Sequence, residues 1–444
     1  MASTFITRTP SSNGSSTKAT WSVWVKRGKI NASENLFFAS SDSNNKMIFR
    51  FNAGATIDVR NKVSGSFPLD IETERKYIDA AAWYHIVIAI DTTQATSSNR
   101  FKMYVNGVQE TAFTTETYPS QNAALTFSNT DDQMWIGAES GTGDFFSGSL
   151  AHYHYTDGYT YAATDFGETD STSGVWKPKA SPSVSYGTNG FFLKFENSAN
   201  MDLDSSGNNL SFTTSGNLTQ NSDTPANNFA TGNPLDSVRI YSGSAYLPTY
   251  SNGNNTINHS DSGIYTGSKS TIAVSSGKWY CEAKCAAPGD QIFIGLTPEE
   301  DEGEVSETYL YEDDGTFGGS AYGSAYGGTH GGSAGDIIQI AFDATNGTVW
   351  FGINGTWQNS ATQTEIENGT TANAAASGLT MTKFWHIATK GYNGATWNFN
   401  VGSGFFGTTA VASANADGNG FGAFEYAVPS GYYALCTKNL KEFG

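Results

Sequence analysis

WYHIVIAID, from Trp83 to Asp91, and FKMYVNG, from Phe101 to Gly107, give the clearest indication of the fold. Each segment is short and follows a two-residue repeat, which is the side-chain period of a β-strand. Asn106-Gly107 adds a turn signal, because both residues adopt positive φ at low cost and match the twist of a type I′ hairpin. These segments therefore predict antiparallel sheet.

The same pattern recurs along the chain. TWSVWVKR begins at Thr20 and HYHYTDG at His152, and from Gly277 the pattern resumes with GKWYCEAKC, DQIFIGL, DIIQIAFD, TVWFGING and ATWNFNVG and continues to GYYALCTKNL. Asn346-Gly347 and Asn354-Gly355 repeat the hairpin signal. No 3.6-residue periodicity is sustained, so we expect no helix longer than a turn or two. The prediction is an all-β chain of two antiparallel β-sandwich (jelly-roll) domains in tandem, with little helix.

Chain length and a change of composition place the domain boundaries. The 444 residues exceed the roughly 250–300 residues at which single cores stop growing. Residues 198–227 are rich in Asn, Ser and Gly, which favour turns and leave little to bury. We therefore expect one domain at 1–197, a connection at 198–227 and a second domain at 228–444.

Charge and composition exclude several partner classes. The formal net charge is −18, and no cluster of Lys or Arg interrupts the acidic balance, so nucleic acid is not an expected partner. No apolar run approaches about 18–20 residues and the N-terminus lacks a secretory pattern, so neither membrane insertion nor secretion is expected. The three cysteines, Cys281, Cys285 and Cys436, show no metal-type pair and are predicted to be buried and reduced.

The first domain resembles the laminin-G-like members of the concanavalin A-type jelly rolls. The segments that carry this resemblance are TRTPSS at 7–12, TWSVWVKRG at 20–28, WYHIVIAID at 83–91, KMYVNG at 102–107 and MWIGA at 134–138. The run FSGSLAHYHYTDGYTYAATDFGETDSTSGVWKPK at 146–179 resembles the variant found in structural proteins of marine, cyanophage-type tailed phages.

The second domain is similar to SPRY-type sandwiches. The resemblance lies in GKWYCEAK at 277–284, FIGLT at 293–297 and GDIIQIAFDATNGTVWFGINGTW at 335–357, and NNFATGNPLD at 227–236 is similar to the lead-in of such phage chains. This chain departs from the pattern at Cys281, where SPRY-like chains often carry an apolar or aromatic residue, and in the long segment 298–333.

Together the resemblances imply a non-enzymatic virion surface protein of a tailed bacteriophage. Such a protein would be a tail fibre, receptor-binding component, or capsid-attached fibre or decoration that binds host-surface glycan or protein through sandwich loops. Its partners would be other virion proteins and further copies of itself, and its location the particle surface after synthesis in the host cytoplasm. A purely architectural virion component and a polysaccharide depolymerase are the alternatives, because fold likeness alone does not separate them.

Loop composition supplies the candidate binding residues. Residues 299–314 contain nine acidic residues and no basic one, and a Gly-rich stretch with tyrosines follows. Tyrosine offers amphipathic contact area at low entropic cost, and Gly keeps the backbone adaptable. The candidates are Tyr309, Tyr311, Tyr322, Tyr326 and His330. A merely flexible insertion is the alternative.

Carboxylates supply a candidate metal site. Laminin-G-like domains often bind Ca²⁺ at a loop rim, and Asp131, Asp132 and Asp144 offer hard oxygen ligands in predicted loops. Calcium is the one cofactor considered, and none is required. His152 and His154, two apart on a strand, could begin a metal site, but no third ligand is identifiable, and hydrogen-bonded sheet histidines are the expectation.

Two further sets of residues have competing interpretations. Asp70, Glu72 and Glu74 share a strand face, as the carboxylates of glycoside hydrolases do, but Arg75 and Lys76 follow directly, which favours a solvated strand face and no catalytic residue. Five tryptophans recur in strands and are predicted to fill the space between sheets and not to form exposed stacking platforms: Trp83, Trp135, Trp279, Trp350 and Trp397.

Overall fold

The computed structural model describes residues 4–171, 173–239, 247–260, 263–300, 309–318, 324–330 and 333–444. Strands account for 45% of the residues and helices for 6%, so the all-β prediction is confirmed. The chain divides into two compact units, Met1–Gln220 and Asn221–Gly444, called here the N-terminal and C-terminal units. Among the described residues, no helix is long and apolar enough to cross a bilayer.

The N-terminal unit is a two-sheet sandwich. Its strands are β1 Phe5–Arg8, β2 Lys18–Arg27, β3 Glu34–Asp42, β4 Asn45–Phe51, β5 Ile57–Val63, β6 Ser66–Thr73, β7 Trp83–Asp91, β8 Phe101–Val105, β9 Val108–Glu110, β10 Phe113–Thr117, β11 Gln133–Ile136, β12 Gly148–Asp157, β13 Gly167–Thr169, β14 Trp176–Pro178, β15 Phe191–Leu193 and β16 Thr213–Ser215. One sheet has the order β10-β6-β5-β4-β3-β11-β1-β16, the other β15-β12-β2-β7-β8-β9, and β13 pairs with β14. Trp21, Phe37 and Ile88 are among the fully buried side chains between the two large sheets.

A short segment with a few apolar residues packs on the outer side of the six-stranded sheet. Helix α1, Ala163–Phe166, follows β12, and Ala163 and Phe166 pack with Val87 of β7 and Trp176 of β14. Its apolar residues therefore form a small second core, which buries the outer face of β7.

The C-terminal unit is also a sandwich of antiparallel sheets. Its strands are β17 Gly232–Arg239, β18 Thr249–Ser251, β19 Thr256–His259, β20 Thr266–Val274, β21 Lys278–Ala287, β22 Gln291–Pro298, β23 Tyr309–Glu312, β24 Thr316–Gly318, β25 Ser324–Ala325, β26 Ile337–Asp343, β27 Thr348–Ile353, β28 Thr356–Trp357, β29 Ala376–Ser377, β30 Trp385–Tyr392, β31 Ala395–Asn400, β32 Phe405–Phe406, β33 Thr409–Ala410 and β34 Tyr433–Ala434. The sheets run β17-β20-β30-β22-β23-β24-β25 and β18-β19-β31-β21-β26-β27-β28. Helices α2, Gln363–Asn368, and α3, Thr437–Phe443, are both short.

The hairpin predictions have different outcomes. Asn106 and Gly107 have φ of 50° and 82°, and Asn354 and Gly355 have 48° and 84°, as type I′ turns require. At Asn346-Gly347 only the glycine has positive φ, at 64°. There the prediction is wrong, because the connection between β26 and β27 spans four residues and Asp343 accepts hydrogen bonds from the backbone of Thr345 and Asn346.

Two other expectations need correction. Residues 198–220 belong to the N-terminal unit, because β16 pairs with β1 and Leu210, Phe212 and Leu218 pack on the core. These three apolar side chains are enough to dock a segment whose average composition is polar. At the C-terminus, the strand expected through Leu440 ends at Ala434, and Thr437–Phe443 is helical.

Most of the predicted buried residues are buried. Trp83, Trp279, Trp350 and Trp397 are at most 8% exposed. The three cysteines are buried and none forms a disulfide, as expected. Trp135 is the exception, and its position is described with the candidate site.

Candidate functional site

The outer side of the eight-stranded sheet is the first candidate surface. On β4, β5 and β6 the core takes every second residue, including Phe49, Val59 and Ile71. The residues between them must therefore project from the opposite side of the sheet. We call this set the charged face: Arg50, Asp58, Arg60, Asp70 and Glu72.

Ion pairs run across the charged face. Arg50 Nε lies 3.0 Å from Asp58 Oδ2, and Arg60 Nε lies 2.9 Å from both Asp58 Oδ1 and Asp70 Oδ1. Arg60 Nη2 also lies 3.9 Å from Glu72 Oε2. The two arginine side chains and the carboxylates of Asp70 and Glu72 are 20–30% exposed, whereas Asp58 is buried beneath them. Burial raises the pKa of Asp58 above its ordinary value, against the opposing effect of Arg60 and Arg50.

The structure bears on the two interpretations of Asp70, Glu72 and Glu74, which are catalytic carboxylates and a solvated strand face. Asp70 and Glu72 do share a face, but Asp70 is paired with Arg60, and Glu72 accepts hydrogen bonds from Asn52 and Thr56. Glu74 follows the end of β6 and is exposed. The first two carboxylates are therefore half-buried and already bonded, which makes the face less solvated than the sequence suggests.

An aromatic patch adjoins the charged face. Trp135 on β11 and Phe38 on β3 are opposite each other in register, with ring centroids 5.5 Å apart. Trp135 is partly exposed, so the prediction that it fills the core is wrong. The strand period explains the outcome, because Met134 and Ile136 on either side of it are both core residues. That alternation was visible in the sequence.

A polar cavity of about 330 Å³ at the sandwich rim is the second candidate site. We call it the rim pocket; it is lined by three asparagines, three hydroxyl side chains, Asp131 and Asp132. Asp131 is exposed, whereas Asp132 is 1% exposed and accepts hydrogen bonds at Oδ2 from the backbone and side chain of Asn129. Burial raises the pKa of Asp132 above its ordinary value, and the nearby Asp131 adds to the effect.

The three predicted calcium ligands are not brought together. Asp131 and Asp132 line the rim pocket, but Asp144 is absent from its lining and lies 3.1 Å from Arg50 Nη1. Among the described residues, no cluster of three or more His, Cys, Asp or Glu side chains could hold a metal ion. The prediction that all three aspartates form one calcium site is wrong, because Asp144, in the loop before β12, pairs with Arg50 on β4 and does not line the rim pocket.

The tyrosine-rich segment is largely part of the core. Tyr311, Tyr326 and His330 are 0%, 8% and 0% exposed, and Tyr311 contacts both of the others. Tyr309 is half-buried against Trp385, with ring centroids 5.6 Å apart. Burial contradicts the predicted loop role of Tyr311, Tyr326 and His330, because β23 to β25 extend the seven-stranded sheet, whereas the role of Tyr309 stays a prediction. Tyr322 lies outside the described residues.

The paired histidines are sheet histidines. His152 and His154 lie with ring centroids 6.4 Å apart, on a bulged part of β12. His154 is buried, stacks on Phe192 at 3.8 Å and lies with Nδ1 2.9 Å from Tyr186 Oη. Burial lowers the pKa of both rings. His154 therefore contributes packing and a hydrogen bond, whereas Nδ1 of His152 is buried and has no hydrogen-bond partner among the described residues.

Comparisons with known proteins found one family likeness and several likenesses to solved structures. A family model described as the concanavalin A-like lectin/glucanases superfamily matches residues 3–158. No curated protein sequence matches the chain. Solved structures that match include the SPRY domain of human HERC1, with 14% identity, 38% of this chain and 96% of that chain covered, and a TM-score of 0.27.

Two other matched structures are a domain of an arabinanase and a pentraxin. Domain 4 of AbnA, an extracellular arabinanase from Geobacillus stearothermophilus in complex with arabinotriose, is 19% identical. The match covers 33% of this chain and 64% of that chain, with a TM-score of 0.26. The heptameric SAP-like pentraxin from Limulus polyphemus is 14% identical. The match covers 34% of this chain and 69% of that chain, with a TM-score of 0.26. Over residues 3–158, the N-terminal unit is thus similar to the concanavalin A-like lectins and glucanases.

Proposed function

We propose that this protein is a non-enzymatic carbohydrate-binding protein of a tailed-bacteriophage virion surface. The observation that carries the binding proposal is the partly exposed Trp135, which shares the outer side of the eight-stranded sheet with the ion-paired groups of the charged face. In the register, Phe38 and Ile48 lie between Trp135 and Arg60. An aromatic surface next to a few oriented polar groups suits a sugar, which presents both C–H and hydroxyl surfaces. The likeness of residues 3–158 to lectins supports the same class of ligand.

The ion pairs support binding over hydrolysis. A retaining or inverting glycosidase needs one carboxyl group that donates a proton and a second one that attacks or activates water. Here Asp70 is held by Arg60, and Glu72 by Asn52 and Thr56. Carboxylates fixed in this way can orient hydroxyl groups, and both are already bonded to partners within the chain.

The virion assignment rests on the sequence resemblance of residues 146–179 and of the C-terminal unit to phage chains. On this proposal the partners are other virion proteins and host-surface glycan or protein, and the chain acts as a homo-oligomer whose repeated weak sites give avidity. No cofactor is required for binding. A purely architectural virion part and a depolymerase are the competing functions.

One experiment separates these functions. The purified chain is applied to bacterial cells and to a glycan array, with and without EDTA, and the bound glycan is then analysed for cleavage. We expect binding that EDTA leaves unchanged and no shortened glycan. Cleavage would favour the depolymerase, and failure to bind both cells and glycans would favour the architectural function.

Replacing Trp135 with alanine tests the surface directly. We expect glycan affinity to fall about tenfold or more, because an aromatic contact of roughly 1–2 kcal/mol is lost. Stability should change little, since the side chain is outside the core. The matched control is Phe384→Ala in the C-terminal unit, where the aromatic ring is 51% exposed. Equal affinities of the two variants, measured by calorimetry with an array-selected glycan, would contradict the assignment.

A further inference from the structure

Histidines are concentrated on the outer side of the six-stranded sheet. Three of the six in the chain lie there: His85, His152 and His154. The first and the last of them contact the segment between β12 and β15, and we call residues 161–169 and 175–186 of that segment the cover. Within the described residues, β13 and β14 of the cover pair with each other and with no strand of the large sheets. These two strands are therefore held on the sheet by side-chain contacts.

His85 attaches the cover in one protonation state only. Trp176 on β14 donates its indole N–H to His85 Nδ1 at 3.0 Å. An indole nitrogen can only donate, so Nδ1 carries no proton. The proton of the neutral ring is then on Nε2, which lies 2.9 Å from Ser22 Oγ. The ring is 0% exposed and stacks on Trp24. A second proton would therefore break the contact with Trp176 and leave a buried charge.

His154 holds the cover at two further points. Its Nδ1 lies 2.9 Å from the hydroxyl of Tyr186, and its ring centroid lies 5.0 Å from that of Phe166 on α1. Phe166 in turn packs with Val87 of β7. The ring of His154 is 1% exposed beneath these contacts. Because both histidines lie between the sheet and the cover, water reaches their rings only when the cover moves away.

The surroundings keep these rings neutral. Burial lowers the pKa of His85 to about 3, and it lowers the pKa of His152 and, much further, that of His154. Lys194 adds to the effect at His152 and His154, whereas Glu196, whose side chain is 67% exposed, opposes it at His152. Among the described residues no carboxylate forms an ion pair with the three rings. The other titratable side chains on the outer sides of the surrounding elements are Lys26, Lys102, Asp165, the paired Glu168 and Lys177, and the tyrosines 104, 161 and 186.

We propose that the cover is an acid-operated flap, which detaches from the six-stranded sheet when His85 and His154 take up protons and then exposes the apolar surface of Val87 and Phe166. This device goes beyond the proposed function, because neither Trp135 nor the charged face takes part in it. In the open state both rings regain an ordinary pKa near 6.5. The closed state is therefore fully favoured above that pH and loses stability as the pH falls towards the lower pKa of the closed state. Each histidine shifts the opening equilibrium about tenfold per pH unit in this range, and the two together shift it about a hundredfold.

Hydrogen exchange of the full chain, read by mass spectrometry, measures this opening. The opening constant of the peptides that contain residues 163–169 and 175–179 is obtained after correction for the pH dependence of intrinsic exchange. We expect it to rise about a hundredfold between about pH 6 and pH 5, while peptides of β4 and β5 change less than about tenfold. His85→Asn places an amide oxygen near the Nδ1 position and takes up no proton. This variant should reduce the rise to about tenfold.

Two further variants keep the test decisive if His85→Asn does not fold. Trp176→Phe removes the indole donor but keeps an aromatic ring, so Nδ1 of His85 can take up a proton without losing a bond, and the rise should again be smaller. The matched control is His259→Asn in the C-terminal unit, because His259 is also 0% exposed with both ring nitrogens bonded to threonine hydroxyls. It should leave the rise in the cover unchanged. A wild-type rise below about threefold, or a full rise in both His85→Asn and Trp176→Phe, would overturn the proposal. Equal loss of protection in the cover and in β4 and β5 would also overturn it, because the N-terminal unit would then unfold as a whole.

Discussion

Replacing Arg27 with leucine is expected to lower the free energy of unfolding of the N-terminal unit by about 3–5 kcal/mol. Arg27 and Glu34 are both fully buried, with Arg27 Nη2 3.3 Å from Glu34 Oε2. Burial raises the pKa of Glu34 to about 7, and Arg27 opposes that rise. Without the guanidinium, the carboxylate would be left buried and uncompensated. Arg27 Nη1 also donates to the carbonyl of Tyr77, a contact that the variant loses.

The measurement is hydrogen exchange of the amides of β2 in the full chain, because this readout reports on the N-terminal unit alone. The double variant Arg27→Leu/Glu34→Leu should recover much of the loss, since paired apolar residues can replace a buried ion pair. The control is Arg75→Leu, whose partner is Glu110 at 3.2 Å and whose side chain is 59% exposed. That variant should lose less than about 1 kcal/mol. Equal losses for Arg27 and Arg75 would show that the buried pair has no special role.

Replacing Glu282 with alanine is expected to destabilise the C-terminal unit by about 3 kcal/mol or more, since each buried donor left without an acceptor costs about 1–3 kcal/mol. Glu282 on β21 is 1% exposed and accepts from the backbone amides of Glu425 and Tyr426 at 2.8 and 2.9 Å. Tyr280 Oη donates to it at 2.9 Å. The side chain therefore holds a long C-terminal loop against the sheet. Exchange of the Glu425 and Tyr426 amides measures the effect.

Glu300→Ala is the control for this prediction, because that side chain is 65% exposed and its ion pair within the described residues is with Lys383, at 3.6 Å. Its effect should be within about 0.5 kcal/mol. Unchanged exchange at Glu425 and Tyr426 in the Glu282→Ala variant would contradict the anchoring role.

Glu282 also predicts a pH dependence. Burial raises its pKa from an ordinary value of 4.5 to about 7, although the amides of Tyr426 and Glu425 oppose the rise. The folded state therefore binds this proton more tightly than the unfolded state does. The resulting stabilisation is fully present below about pH 4.5 and is lost as the pH rises through about 7. Glu282→Gln should lack this loss; parallel pH profiles for the two proteins would be inconsistent with the assignment.

The all-β class and most strand positions follow from the sequence, because a strand in a sandwich must alternate between core and surface. WYHIVIAID became β7 and FKMYV became β8, and the Asn106-Gly107 turn has the predicted backbone conformation. Those features depend on residues close together in the chain. The outward position of Trp135 could also have been predicted from the sequence, since the apolar residues Met134 and Ile136 on either side of it face the core.

Other features depend on pairings between distant residues, which local patterns do not encode. Tyr311 and His330 follow an acidic, Gly-rich segment that has the composition of a loop, yet sheet extension buries them. Asp144 carries a plausible calcium ligand but pairs with Arg50, which is 94 residues away. The rim pocket joins Ser41 of β3 and Asn45 of β4 to residues of the loops before β2 and β11. The alternation of residues along the strands and two of the three Asn-Gly turns could therefore be predicted from the local sequence. The pairing of charges and the burial of Tyr311 and His330 depend on the tertiary structure, because both result from the register between strands that are far apart in the chain.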